Sequence, residues 1–271
     1  MTGAAPLLLI AHGSRDPGHA ATVHALAARV RSLRPGLRVT VGFLEFDRPS
    51  VPGALAGLHA AGVREAVAVP LLLTRAYHAK TDIPAVLAEC LPRLPGLRVR
   101  RAGVLGQDPL LLGALERRLA QAVRPGAAGE RARVPLGGPA AAARTGIVLA
   151  AAGSSDPAAR TAVGAVARSW RERAGWAAVR PAFASAAPPG TADAVRALRA
   201  DGIGRVLVAP LVIAPGRLPG RIAAAAREAG ADALAPVLGA APELAALLLR
   251  RHDEAAAASG AADHTVAGTY L

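Results

Sequence analysis

The feature that most constrains the fold is an internal repeat with a spacing of 140 residues. The apolar run and glycine turn of residues 7–17 return as residues 147–157, and both copies end on a Gly-Ser-x-Asp-Pro turn. Further along, the segments 69–73 and 209–213 share a Pro-Leu pair at the same spacing. Repetition on this scale predicts that the chain is built from two copies of one structural unit.

Each copy alternates short apolar runs rich in β-branched residues with longer alanine-rich segments of helical period, a pattern typical of a parallel sheet covered on both faces. The predicted fold class is therefore α/β, with two tandem units, each a parallel four-stranded sheet with helices on both faces, facing each other across a cleft. Strands are expected near residues 7–11, 38–43, 66–72, 98–104, 146–151, 178–183, 206–211 and 231–235. We expect the first unit at residues 1–123, a Gly- and Pro-rich linker at 124–144, the second unit at 145–256 and a loose tail at 257–271.

The composition narrows the cell compartments and the kinds of covalent or metal site that we expect. Cys90 is the only cysteine, which excludes an internal disulfide and a cluster of thiolate ligands. No apolar stretch approaches the roughly 20 residues of a membrane-spanning helix, and residues 1–6 carry no positive charge of the kind that opens a signal peptide. We therefore expect a cytoplasmic protein with no membrane contact.

The net charge of +13 raises the question of nucleic-acid binding. Of the 32 basic residues 31 are arginine, scattered among alanines, and aromatic residues make up 3% of the chain. No zinc-finger, RNA-recognition or helix-turn-helix pattern accompanies them. We expect no nucleic-acid partner; a small polyanionic ligand suits the positive field equally well.

Three residues of metal-ligand type follow predicted strands of the first unit: His12, Glu45 and His78. Ligands of parallel α/β sheets bind beyond the carboxyl ends of the strands, so these side chains are expected to converge on one rim. The second copy lacks all three types, because the aligned positions are Ala152, Ser185 and Leu218. Their joint absence, while the surrounding scaffold residues persist, indicates that the three act as a set.

Two imidazoles and a carboxylate would suit Fe²⁺, Co²⁺, Ni²⁺ or Zn²⁺. Taken singly, His12 could be an ordinary turn residue and His78 an ordinary loop histidine, and the joint loss favours the metal site over that interpretation. The remaining histidines are interpreted as structural or surface residues: His19, His24, His59, His252 and His264.

At these residues the chain resembles the class II, ATP-independent tetrapyrrole chelatases of the CbiX/SirB type, which act on sirohydrochlorin in sirohaem and cobalamin synthesis. The resemblance rests on His12-Gly13-Ser14-Arg15, on Phe43-Leu44-Glu45, and on Pro70-Leu71-Leu72-Leu73 followed by His78 and Asp82-Ile83-Pro84. It covers the chain as two family-like units, with specific motifs in the first alone. It implies that the second unit is a degenerate repeat.

The resemblance implies that His12 and His78 are catalytic and hold the metal, with Glu45 assisting. It also implies a macrocycle fringed with carboxylates, which Arg15, Arg48, Arg75 and Lys80 could bind, because arginine grips carboxylate with two hydrogen bonds. Ser14 and Tyr77 are further candidates for substrate binding. The expected partners are sirohydrochlorin and a divalent metal, Fe²⁺ or Co²⁺, as substrates, with no permanently bound cofactor and a monomeric chain of two fused units.

Two alternatives stay open at this point. A metal carrier or sensor would keep the three ligands without acting on a macrocycle. A histidine-phosphatase-like enzyme also has a His-Gly pair after a strand, but that family places an arginine directly before the histidine, where this chain has Ala11. A P-loop is excluded because the Lys-Ser/Thr pair is missing after the glycines of residues 13–18.

Overall fold

The structure is a computed structural model that describes residues 4–74, 81–123 and 138–258. The described strands form two separate parallel sheets of four strands each. The first sheet contains β1 (Leu7–Ala11), β2 (Val39–Phe43), β3 (Glu65–Pro70) and β4 (Arg98–Arg101). The second contains β5 (Thr145–Ala151), β6 (Ala178–Phe183), β7 (Arg205–Leu211) and β8 (Ala233–Leu234). The strand orders, β2-β1-β3-β4 and β6-β5-β7-β8, are the same in both units.

Helices connect the strands, as the alternating pattern predicts. Those of the first unit are α1 (Pro17–Leu33), α2 (Val51–Ala60), α3 (Asp82–Cys90) and α4 (Pro109–Ala122). A short helix, α5 (Pro139–Ala142), precedes the second sheet, whose helices are α6 (Pro157–Ala174), α7 (Thr191–Ala200), α8 (Arg217–Glu228) and α9 (Pro242–Ala257). The predicted fold class is confirmed. The strands β4 and β8 are shorter than predicted; each pairs with its neighbour over four and two residues, respectively.

Local chemistry explains where the first strand and helix begin and end. All five residues of β1 are buried, because the strand lies between β2 and β3 in its sheet. The chain then turns at Gly13, and Asp16 starts α1 by accepting a hydrogen bond from the Gly18 amide on its Oδ1, at 2.9 Å. Pro17 occupies the first turn, where its missing N–H is no loss. Strand end and helix start are thus separated by five residues.

The last helix of each unit packs on the sheet of the other unit. Helix α9, from the end of the chain, lies against α1, β3 and β4, whereas α4 lies against β7 and β8. His252 of α9 is buried and contacts the Ala5 carbonyl through Nε2 at 2.7 Å. One hydrophobic core therefore runs through both units. This exchange joins the units far more tightly than a linker between independent domains would.

Asp108 anchors the exchanged helices to each other. Its carboxylate is buried, caps α4 through the Leu110 amide at 2.9 Å, and receives Nη1 of Arg250 from α9 at 3.0 and 2.9 Å. We expect Asp108→Ala to lower the free energy of unfolding by about 3 kcal/mol, because it removes a helix cap and leaves a guanidinium without its buried partner. The matched control is Asp16→Ala, which removes a cap of the same 2.9 Å geometry and should cost about 1 kcal/mol. Equal losses in urea denaturation would contradict the anchoring role.

A second contact between the units depends on pH. Arg34, directly after α1, donates two hydrogen bonds to Asp253 of α9, at 2.5 and 2.7 Å, and they lower the pKa of Asp253 to about 2. A carboxylate with a lowered pKa stabilises the fold above its usual pKa near 4, and that stabilisation disappears as the pH falls towards 2. Since Asp253 is half exposed, its contribution is about 1 kcal/mol or less. In chemical denaturation between pH 5 and 2, Asp253→Asn should show a shallower loss of stability than the wild type. Parallel pH curves for the two proteins would contradict the assignment.

Within the described segments, none of the helices combines the length and the apolarity that crossing a membrane requires.

Candidate functional site

The candidate site lies where β1 and β2 end, side by side, at the carboxyl edge of the first sheet. Ala11 pairs with Phe43, and the Leu44 amide donates to the Ala11 carbonyl at 2.9 Å. One residue later, the Glu45 amide donates to the His12 carbonyl, also at 2.9 Å. The sheet pairing thus continues through the two residues from which an imidazole and a carboxylate project. The structure places the backbones of His12 and Glu45 next to each other, and the convergence of the three predicted ligands on one ion stays a prediction.

Gly13 allows this close approach. Its φ is +95°, a conformation that residues with a Cβ rarely adopt. A Cβ at this position would lie 1.9 Å from the Glu45 carbonyl oxygen, well inside contact distance. The histidine turn and the glutamate loop can therefore touch only because residue 13 has no side chain.

Three predicted substrate-binding residues lie around this turn. Ser14 is half-buried and its Oγ accepts a hydrogen bond from the Asp16 amide at 3.1 Å. Arg15 and Arg48 are exposed, within the loops that follow β1 and β2. The remaining predicted site residues lie outside the described segments: Arg75, Tyr77, His78 and Lys80. Among the residues that the structure describes, no group of three or more His, Cys, Asp or Glu side chains is placed to hold a metal ion.

Sequence reasoning missed two polar residues beside the turn, His19 and Asp47. Asp47 Oδ2 accepts the Ser14 amide at 3.0 Å and lies 3.8 Å from Nδ1 of His19. Burial lowers the pKa of His19; the Asp47 charge opposes that shift, and the nearby His12 adds to it. The repeat contained the signal, since the aligned residues of the second unit are Ala159 and Ala187. Both polar groups are thus specific to the first unit, like His12 and Glu45.

The second unit keeps the backbone of the site. Gly153 has a φ of +98°, and a Cβ there would lie 1.9 Å from the Ser185 carbonyl oxygen. The Ala184 amide donates to Ala151 at 2.9 Å, as Leu44 does to Ala11. In place of the glutamate, Ser185 turns its hydroxyl inward and donates to the Ala152 carbonyl at 2.9 Å. The scaffold is duplicated while the side chains of metal-ligand type are not.

A loop of the second unit reaches the site of the first. A Cβ built on Gly18, at the start of α1, would lie 2.9 Å from Cγ of Pro215, and one built on Gly216 would lie 3.6 Å from Oγ of Ser14. The loop after β7 therefore covers the Ser14 side of the histidine turn. The site lies where the two units meet rather than on an open face.

The comparisons with known proteins agree on one family. A sequence profile of the CbiX family matches residues 6–122 and again residues 146–255. The chain is 26% identical over 216 residues to a sirohydrochlorin cobaltochelatase of Priestia megaterium, a match that covers 80% of this chain and 66% of that protein. It is 27% identical over 219 residues to a sirohydrochlorin ferrochelatase of Bacillus subtilis, covering 80% of this chain and 77% of that protein. The structure of SirB from Bacillus subtilis with Fe³⁺ matches with a TM-score of 0.79 and 25% identity, over 94% of this chain and 97% of that one.

Proposed function

The chain belongs to the CbiX family, and on that premise we propose that it is a sirohydrochlorin chelatase, which inserts Fe²⁺ or Co²⁺ into the macrocycle without ATP. The catalytic unit would be residues 1–123, and residues 145–256 would form a degenerate repeat that walls the site. Metal and tetrapyrrole are both substrates. The named relatives act on the same tetrapyrrole, one described with cobalt and one with iron.

One observation supports the proposal most. The Glu45 amide donates a hydrogen bond to the His12 carbonyl at 2.9 Å, so an imidazole and a carboxylate project from neighbouring positions at the sheet edge. The same backbone in the second unit bears Ala152 and Ser185 instead. Because the fold does not need the two polar side chains, we attribute them to chemistry.

In the proposed mechanism, His12, Glu45 and His78 present the metal ion, and as the ion passes to the macrocycle the two freed imidazoles each accept one of the two protons that leave the pyrrole nitrogens. A neutral imidazole can hold a first-row divalent ion and can also take a proton. Glu45 lowers the net charge of the site, which favours binding of the cation. Release of the ion into the macrocycle requires a labile site, and nitrogen and oxygen ligands without thiolate provide one.

The carboxylates of the macrocycle would meet cations at the rim. Arg15 and Arg48 are exposed beside the turn, and Arg75 and Lys80 come later in the sequence, outside the described segments. Ser14 and Tyr77 would add hydrogen bonds. Together with the net charge of +13, these groups would draw a polycarboxylate towards the site. We further propose a monomeric cytoplasmic enzyme with neither nucleic-acid nor membrane partners.

The test is a spectral assay of purified protein with sirohydrochlorin and one metal at a time. We expect Co²⁺ or Fe²⁺ to convert the absorption spectrum of the free macrocycle into that of its metal complex, through many turnovers and without ATP. The control is the same mixture without protein, which measures spontaneous insertion. A metal carrier would instead bind Co²⁺ in a fixed ratio and leave the rate of the spectral change at the control value, and that result would contradict the proposal.

A further inference from the structure

The loop after β2 ends in a strained three-residue turn with an aromatic side chain at its tip. The Asp47 amide donates to the Glu45 carbonyl at 2.7 Å, which makes Phe46 the central residue of a γ-turn. Its φ is +61°, a left-handed conformation that is rare for a bulky residue. Glycine would relieve the strain, so folding alone does not explain a phenylalanine here.

The second unit contains the same turn without an aromatic side chain. There the Ala187 amide donates to the Ser185 carbonyl at 2.8 Å, and Ala186 has a φ of +62°. The turn therefore belongs to the shared scaffold and forms without an aromatic residue. The phenyl ring is found only where the histidine and glutamate are found, in the first unit.

Phe46 is exposed, and its ring already contacts a cation. More than half of its surface, 57%, is accessible to solvent. The guanidinium of Arg15 lies over the ring, with Cζ 5.4 Å from the ring centroid. An exposed ring contributes little to the hydrophobic core, whereas it offers a flat apolar surface to a ligand. The cation–π contact places Arg15 over one face of the ring, so that a flat ligand would stack on the opposite face.

We infer that Phe46 binds one face of the tetrapyrrole substrate by stacking, while Arg15 binds a carboxylate at its edge; the inference rests on the proposed function. A conjugated macrocycle is flat and stacks on aromatic rings, and its carboxylates suit the guanidinium fork. Because Phe46 directly follows Glu45 in the chain, a ring stacked there lies beside the proposed metal ligands. Phe46 thus positions the macrocycle and does not touch the metal.

Steady-state insertion of Co²⁺ by variants of residue 46 tests the inference. At saturating Co²⁺ we expect Phe46→Ala to raise the KM for sirohydrochlorin about tenfold, from the loss of stacking and of apolar contact. Phe46→Trp should stay within about twofold of the wild type, and Phe46→Leu should fall between the two. Ala186→Phe, the matched change in the second unit, should leave KM unchanged.

A second measurement separates stacking from a structural role. Phe46→Ala should keep the thermal midpoint and the Co²⁺ affinity of the wild type in the absence of tetrapyrrole, because it changes neither the core nor the metal ligands. An unchanged KM in Phe46→Ala, with an active wild type, would overturn this inference and leave the proposed function standing. A loss of Co²⁺ affinity as large as the rise in KM would overturn it as well, because Phe46 would then support the loop that bears the metal ligand. A wild type that inserts no metal would overturn both.

Discussion

Substitution of His12 by alanine is expected to lower the rate of metal insertion by about 100-fold or more, because one side chain would serve both as metal ligand and as proton acceptor. The measurement is the initial rate of the spectral change with sirohydrochlorin and saturating Co²⁺. The fold should persist, since the second unit forms the same turn with Ala152 at this position.

The matched control for this substitution is His24→Ala. His24 is an exposed residue of α1 whose ring meets Phe43 edge-on at 5.7 Å. We expect the His24→Ala variant to insert metal at the wild-type rate. A His12→Ala enzyme with full activity and an unaltered thermal midpoint would remove the histidine from the mechanism.

Substitution of Gly13 by alanine should damage stability and activity together. The new Cβ would meet the Glu45 carbonyl oxygen at 1.9 Å, in a backbone conformation that alanine rarely adopts. Relief requires the histidine turn and the glutamate loop to separate. We expect a loss of about 3 kcal/mol in the free energy of unfolding and, from the displaced ligands, a loss of about 100-fold in insertion rate.

The second unit provides the control, because Gly153→Ala introduces the same 1.9 Å contact, with Ser185. It should cost the same stability, measured by urea denaturation, while insertion by the folded fraction stays close to that of the wild type. If the two variants lose activity equally, the assignment of chemistry to the first unit alone is wrong.

Much of the fold follows from the sequence because two signals reinforce each other. The run 7–11 is apolar throughout, as a strand buried on both faces must be, and the structure has a strand at those residues. The repeat then transfers each assignment to the second unit, where β5 and β6 begin and end within one residue of the predicted bounds. Periodicity and repetition therefore locate elements well.

The exchange of α4 and α9 could not be predicted in this way. The buried leucines of α4, including Leu111, Leu115 and Leu119, form an apolar stripe. Such a stripe shows that a helix covers a sheet, but two sheets of the same construction accept it equally. The choice depends on contacts between distant residues, such as Arg250 with Asp108, which local patterns do not encode.

The sequence predicts candidate site residues where ligand-type residues directly follow strands, and it misses neighbouring polar residues that come from a helix or from later positions in a loop. His12 and Glu45 follow strands directly, and the structure places them side by side. His19 belongs to the first turn of α1, and its Nδ1 lies 3.8 Å from Oδ2 of Asp47 in the loop after β2. Phe46 was missed because nothing local marks a γ-turn.

The most direct test of a metal site confined to the first unit is anomalous diffraction at the cobalt edge from crystals grown with Co²⁺. We expect one strong peak per chain at about 2.1 Å from a ring nitrogen of His12, the distance usual for histidine and first-row divalent ions, with the Glu45 carboxylate beside it. A strong peak at Ala152 and Ser185 in the second unit, with none at His12, would contradict the account.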